Sequence, residues 1–523
     1  MNTRDTARKA ATKAVKVLAM MVAALLAALA VAGCGGSSVS KGPRQEIVIA
    51  QGTDPQTLDP HLTTVQQALN ISGAICEPLT YLNYESGEIE PLLAESWKAI
   101  TDTTWQVKLR EGVKFTNGEE LTADAVKFSL ERIANPEFKS PAAIYTRPIK
   151  SVDVVDKYTV NITTKEPLGV MPLYMTRVYI VPPKYIQEKG DENFSKAPVG
   201  TGPFKLVEWQ KDEKVVLEAN PEYWGDKPTL DRVTFRAIPE TSTRMAALKA
   251  GEADIVTQVS TDEAESLSKD ENIKILPVPG LRVMFVQFNL TQDNALKDRR
   301  VRQALNYAVD KDAIVNDILR GYARKCEGQP LTKEYFGFNE EIKAYPYDPE
   351  KAKSLLAEAG YGPDNPLALT LYAPQGRYNQ DKEVAQVIAG QLEAVGVKVD
   401  LQVLDWGLFL NRLVAKDFNP MAFWGAATEP DADLWLSGMV YSGAAYSMYS
   451  NPAVDELILK GSKTVDQAER AKIYGEVMRI LHDDAPYIYL YQQVDIYGVN
   501  KRVEGWSPRP DEQIDLKGIT VKG

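Results

Sequence analysis

Residues 199–256, VGTGPFKLVEWQKDEKVVLEANPEYWGDKPTLDRVTFRAIPETSTRMAALKAGEADIV, read as the return to a sheet that an earlier segment began. Gly200-Thr-Gly-Pro203 predicts a turn, with two glycines free to take positive φ and a proline that fixes the next backbone angle. Phe204, Leu206 and Glu208 alternate with Lys205, Val207 and Trp209, and Val215 to Leu217 answer them across a Lys211-Asp-Glu-Lys214 turn, so the spacing predicts a hairpin. An aromatic corner, Asn220-Pro-Glu-Tyr-Trp-Gly225, leads to a strand at Val233-Thr-Phe235 and a helix over 241–250 closed by Gly251. The residues before 199 are therefore an excursion from one sheet.

A second patterned stretch lies inside that excursion. Trp105, Val107 and Leu109 alternate with Gln106, Lys108 and Arg110 as in a half-buried strand, and Asn117-Gly118 marks a tight turn. Thr122 is the expected cap of a helix with Asp124 in its first turn and Val126, Leu130 and Ile133 on one face. Residues 152–155 and 158–162 read as a further hairpin.

Leu93-Ala-Glu-Ser-Trp97, the run from Trp105 to Gly118 and Leu121-Thr-Ala-Asp-Ala-Val-Lys-Phe128, followed by the stretch at 199–256, resemble the solute-binding proteins of ABC importers for peptides, opines, nickel complexes and glutathione, the extracytoplasmic family 5. The resemblance covers the whole chain after its leader. It implies an α/β fold, the two-lobed periplasmic binding protein of type II with a discontinuous first lobe and an inserted subdomain. The boundaries expected are 46–90 with 198–282 and 490–523 for the first lobe, 91–197 for the inserted subdomain and 283–489 for the second lobe. The implied function is capture of a small peptide-like solute, a di- or oligopeptide, glutathione or a relative, by lobe closure and its delivery to an ABC permease. The competing class is a secreted hydrolase acting on peptides or glycosides.

Elsewhere, 46–50 is a short apolar strand and 62–79 has helical spacing, followed by a turn-rich connection over 81–91. The pattern changes at Pro277-Val-Pro-Gly280, after which 283–289 is an apolar strand crossing into the second lobe. Helices follow, with Asp310 and Asp348-Pro349 as starts and Gly321, Gly360 and Gly396 as stops. Strand, helix and strand over 367–401 form a βαβ unit. Helices at 452–460 and 466–482 precede an aromatic strand at 486–491 that returns to the first lobe.

Residues 1–33 carry Arg4, Arg8, Lys9, Lys13 and Lys16 before an apolar run from 17 to 31, the pattern of a signal peptide, and Val31-Ala-Gly-Cys34 resembles a lipobox. Cys34 is then the expected lipidated residue, 34–45 a tether, and the protein is anchored by lipid on the extracytoplasmic side, at the cell surface or in the periplasm, as a monomer. An uncleaved membrane span is the alternative, and the short apolar run ending in small residues disfavours it. Removal of the leader takes the net charge from −11 to about −15, and no Lys/Arg block is present, which argues against nucleic acid as a partner. Cys76 and Cys326 permit one disulfide or two separately buried thiols.

Two histidines, His61 and His482, and the lack of HExxH, GxSxG and P-loop patterns leave no catalytic residues, metal ligands or cofactor to assign. Asp431-Ala-Asp433 reads as a capped loop rather than a metal pair. A binding protein needs groups that fix ligand termini. Gly376-Arg-Tyr-Asn379 resembles the Arg and Tyr that meet the ligand carboxylate in dipeptide-binding members, and the Arg377 fork matches two carboxylate oxygens. The resemblance further makes Trp424 an aromatic wall of the cleft and places Trp406 near it, with core packing the alternative for both. Arg282 and Arg177 are secondary candidates. Where peptide-binding members carry an amine-holding aspartate this chain has Ala427, and the run Thr428-Glu-Pro-Asp-Ala-Asp-Leu-Trp435 resembles the glutathione-binding members instead. Glu429, Asp431 or Asp433 is the candidate to replace the missing carboxylate, with a solvated acidic loop the alternative.

Overall fold

The structure, a computed structural model, describes residues 45–522; the expected leader, the lipidation residue Cys34 and nearly all of the tether lie outside them. The strand Glu46–Gln51 buries Ile47, Ile49 and Ala50 and lies between Arg232–Ala237 and Ile255–Val256, parallel to both. Parallel strands covered on both faces read as apolar runs, which is how 46–50 was legible. The hairpin Phe204–Gln210 and Lys214–Ala219 extends this sheet antiparallel to Arg232–Ala237 and ends it. On the other side come Tyr487–Asn500, Ile273–Phe288, Met421–Ala426, Ala368–Gln375 and Lys398–Asp405, in that order. Ala368–Gln375 is parallel to both its neighbours and is joined to Lys398–Asp405 by the helix Asp381–Ala394, the expected βαβ unit.

This architecture is two-lobed α/β. One large core gathers Val283, Phe285, Phe288, Leu371, Ile388, Phe423, Trp435 and Tyr487, all from the chain between 281 and 491. Another gathers Ile47, Ile75, Phe204, Leu217, Phe235, Ile255 and Val499, with Val181 and Phe194 packed into it and Trp506, Ile514 and Ile519 closing it from the C-terminal end. The inserted sheet, ordered Ala94–Thr101, Thr104–Leu109, Thr159–Thr164 and Ile149–Asp156, has its own core with the helix Ala123–Ala134, whose Val126, Leu130 and Ile133 are buried as their spacing requires.

Two antiparallel strands, Ile273–Phe288 and Tyr487–Asn500, run through both lobes. Their ladder shifts register between Pro279 and Val283, where prolines and Gly280 interrupt the pairing. Pro277-Val-Pro-Gly280 was expected to precede the crossing strand and instead lies within it. A proline has no N–H for the ladder and is tolerated at a bulge, so breaker residues here mark an irregularity and not a strand end.

Other local expectations are corrected by packing. Gly200 and Gly202 do not take positive φ; a Cβ on Gly200 would stand 2.0 Å from the Ile75 carbonyl oxygen and one on Gly202 2.5 Å from that of Ala74, so both glycines serve close backbone approach. The helix expected over 62–79 is Gln66–Ile75, and the connection after it holds a short hairpin of Thr80–Leu82 with Ile89–Pro91. Thr122 stands at the N-cap of Ala123–Ala134 without a side-chain cap bond. Asp310 and Asp348 do cap, accepting from the N–H groups of Ala313 and Lys351. Cys76 and Cys326 are free thiols buried in different cores, which leaves no disulfide between them. Among the described residues no helix is long and apolar enough to cross a membrane.

Candidate functional site

The strand Ala368–Gln375 ends at Gly376, whose φ of 75° turns the chain sharply. The Asp381 carboxylate then accepts from the backbone N–H groups of Gly376 (3.2 Å), Arg377 (2.9 Å) and Tyr378 (3.0 Å), so one buried carboxylate fixes the whole loop. Tyr378 is buried and its hydroxyl donates to the Gly425 carbonyl at 2.9 Å, tying the loop to the strand Met421–Ala426. Its ring becomes a platform. The Arg377 guanidinium carbon lies 5.1 Å from its centroid and that of Arg282 5.7 Å, within cation–π range. Arg377 is also 5.3 Å from the Trp406 ring, which stacks on Phe409 at the start of the helix Trp406–Val414. Three expected residues, Arg377, Arg282 and Trp406, thus meet around Tyr378.

Facing these arginines are two carboxylates that sequence reasoning passed over. Asp495 lies on the crossing strand Tyr487–Asn500 and Glu512, at φ 60°, in the C-terminal loop of the first lobe. Burial and the neighbouring Glu512 charge push the Asp495 carboxyl up to about 7, against the pull of Arg282. Burial also raises Glu512, while Arg282 and Arg377 draw it back. Gln493 donates to Asp495 Oδ1 at 3.1 Å, and a Cβ on Gly280 would lie 2.5 Å from Oδ2, so glycine makes the room for that carboxylate. None of Arg282, Arg377, Asp495 and Glu512 forms an ion pair among the described residues. The signal for Asp495 was present: a charge interrupting the apolar run 486–499. Glu512 sits in a loop without periodicity, and only the fold brings it here.

The remaining candidates are engaged elsewhere. Arg177 bonds Glu429 at 2.9 Å through Nε and 2.7 Å through Nη2, with Asp511 at 3.7 Å, and Tyr145 donates to Glu429 at 2.9 Å. Glu429 is therefore not a free carboxylate. Asp433 is buried in the first turn of the helix Ala432–Met439, accepts from the Tyr474 hydroxyl at 2.8 Å and is raised by burial and by Asp431. Asp431 caps that helix and accepts two bonds from Arg470, at 2.8 and 3.1 Å, in a buried pair. Trp424 lies in the core of the second lobe, its Nε1 donating to Gln287 at 3.0 Å and its ring edge-on to Phe285. Trp424 and Asp433 thus belong to the interior, Trp424 on a strand buried along its whole length and Asp433 on the buried face of its helix.

A cavity of about 890 Å³ is lined by Glu77, Tyr84, Arg110, Trp224 and Arg509 among others. Its lining stops at residue 228 and resumes at 509, so it touches nothing of the second lobe, and a solute held by closure has to touch both. A smaller one of about 60 Å³ lies between Gln66, Tyr145, Arg177 and Glu429, and so between lobes. Among the described residues no nucleophile paired with a base adjoins the arginine cluster. His61 is buried between the Tyr179 carbonyl and Arg132, and burial lowers it to about 4. Among the described residues no group of three His, Cys, Asp or Glu is placed to hold a metal ion. What the cluster offers is a pair of guanidiniums on an aromatic shelf opposite a pair of carboxyls.

The sequence profile of bacterial extracellular solute-binding proteins, family 5, matches residues 88–447. The glutathione-binding protein GsiB of Pectobacterium atrosepticum is 31% identical over 484 residues, 89% of this chain and 92% of that protein. Heme-binding protein A of Haemophilus influenzae is 31% identical over 470 residues, 84% and 85% of the two chains. Among solved structures, HbpA2 from Haemophilus parasuis superposes with a TM-score of 0.83 at 27% identity, covering 91% of this chain and all of that one. The binding protein DppA from Helicobacter pylori, in complex with the peptide STSA, gives 0.71 at 30% identity and covers 92% and 99%.

Proposed function

The chain belongs to family 5 of the bacterial extracellular solute-binding proteins of ABC importers, and from that premise we propose that it captures a small peptide-like solute between its lobes and hands it to a permease. One observation carries the reading: Arg377 and Arg282, on the second lobe and its crossing strand, converge on the ring of Tyr378 and have no ion-pair partner among the described residues. A guanidinium on an aromatic face presents donors to a carboxylate, and two of them suit a solute ending in one or two carboxylates. The DppA complex with a peptide and the similarity to a glutathione-binding protein support the same class.

The mechanism is closure without turnover. Contacts to both lobes stabilise the closed state only to the extent that the open state lacks them. The register shift at 279–283 in the two crossing strands supplies the hinge, since few backbone angles there are fixed by a regular ladder. We take residues 281–491 as the closing lobe, and we assign Cys34 as a lipid anchor that holds the protein to the membrane near its permease, as a monomer.

The test is mass spectrometry of the solute released from purified protein by gentle denaturation. A carboxylate-bearing peptide or thiol peptide, recovered intact, is expected; a released solute without a carboxylate, or one cleaved during incubation, would count against the reading.

A further inference from the structure

The reading above leaves the other end of the solute unassigned. Position 427, where a peptide amine would find an aspartate, is alanine, and the carboxylates nearest to it in sequence are engaged: Glu429 by Arg177 and Tyr145, Asp431 by Arg470, Asp433 by Tyr474. We propose that Asp495 and Glu512 together seat the ammonium group of the captured solute; the inference rests on the capture reading.

Geometry carries it. Asp495 and Glu512 come from the crossing strand and the first-lobe C-terminal loop, whereas Arg377 comes from the second lobe. Arg282 stands near enough to both acids, and Arg377 to Glu512, to draw their carboxyls down, yet among the described residues none of the four forms an ion pair. Elsewhere between the lobes the Arg177–Glu429 pair closes to 2.7 Å, so unlike charges there do meet. Here the scaffold holds them apart. Arg377 is laid over Tyr378 and Trp406, and Asp495 is fixed by Gln493 in the room that Gly280 leaves. A zwitterion fits such a gap in one orientation, its carboxylate on the guanidiniums and its ammonium on the carboxylates. An arginine pair alone would accept a simple anion as readily; the facing acids select against it.

The empty site has its own cost, because two carboxylates near each other in a partly buried place do not both ionise. Asp495 faces Glu512, Arg282 and Gln493; Glu512 faces Asp495, Asp511, Arg282 and Arg377. The pair therefore retains a proton that the arriving ammonium makes unnecessary. Binding expels that proton to solvent, with no other bond changed.

The experiment is calorimetry on the full chain with L-Ala-L-Phe, its N-acetyl derivative and glutathione, at pH 6.5 in two buffers of different ionisation enthalpy. The free dipeptide is expected to bind about 10- to 100-fold more tightly than the acetylated one, the worth of a hydrogen-bonded charge. Its binding is expected to release protons. In Asp495→Asn/Glu512→Gln both the amine preference and the proton release disappear. Equal binding of free and acetylated dipeptide by the wild type overturns the assignment, as does an amine preference that survives the double substitution. Failure of all three probes to bind the folded wild type overturns the capture reading and this inference with it. Should the double variant not fold, the wild-type comparison of the two dipeptides and the buffer dependence still decide.

Discussion

Arg177 of the first half of the chain and Glu429 of the second lobe form a direct ion pair at 2.7 Å, with side chains only 13% and 19% exposed. The lobes are thus joined by the protein's own charges at one place and held with charges apart at another. On the capture reading, the first contact biases the lobes toward closure and the second leaves a place for the solute.

Glu429→Gln keeps the size of the side chain and its bond from Tyr145 but removes the charge opposite Arg177. Because Asp511 stands nearby and the pair is not fully buried, the expected loss of closed-state stability is roughly 1 to 3 kcal/mol, below that of a fully buried pair. Small-angle scattering of the solute-free protein should show a larger radius of gyration. An unchanged profile refutes the idea that this pair biases closure.

Arg377→Ala should weaken binding of a carboxylate-bearing solute by roughly 1.5 to 3 kcal/mol. Arg377 is exposed and its side chain makes no ion pair, so the melting temperature should hardly move. Arg377→Lys should also lose affinity, since an ammonium cannot form the two-pronged contact. Wild-type affinity in both variants removes Arg377 from the site.

Gly169 donates to the Ser462 carbonyl at 3.1 Å, and its own carbonyl accepts from Gln467 at 3.0 Å. A Cβ there would lie 2.1 Å from the Thr464 carbonyl oxygen and 2.5 Å from Arg470 Cδ. Thr464 offers backbone, which does not swing aside. Gly169→Ala should therefore part the inserted sheet from the helices Pro452–Lys463 and Gln467–Asp484 at a cost of roughly 1 to 3 kcal/mol, leaving each core intact. Distance measurements between spin labels on these two parts test it, and an unaltered separation speaks against the contact's importance.

Asp495 holds its proton to about pH 7 in the folded protein, whereas an unfolded aspartate releases it near pH 4. The unfolded chain then binds fewer protons across that interval, so this group's contribution to stability is complete below about pH 4 and is lost as pH rises toward 7. Asp495→Asn should flatten the fall in melting temperature over this window. A slope identical to wild type contradicts the raised value.

Cys34→Ser should release the protein from membranes or leave it unprocessed, with solute affinity unchanged. Membrane fractionation with mass analysis of the N-terminus checks this, and normal maturation in the variant is the contrary result.

Most of the framework was legible because it rests on local patterns. The hairpin after Gly202, the helix face of Val126, Leu130 and Ile133, and the Asp310 and Asp348 caps each arise within a dozen residues. The contact of Arg377 with an aromatic ring was legible only through a motif, and the Tyr378 platform came with it. Asp495 and Glu512 were not, since their meaning depends on a strand and a loop returning from the end of the chain to face residues 282 and 377. Trp424 stayed open between cleft wall and core, since nothing in a single strand says which way its large ring faces; here the ring packs on Phe285 and Tyr446.

The position of the strand Tyr487–Asn500 has a consequence for how the chain is made. It lies in the middle of the sheet, between Ile273–Phe288 and Ile255–Val256, although it follows every other strand of that sheet in the chain. Until residue 500 is available, the two halves of the sheet have no shared neighbour, and the first-lobe core lacks Tyr497 and Val499. Domains ordinarily fold as they are synthesised. Here residues 487–500 act as the clasp, so a chain that does not yet have them stays short of the native sheet.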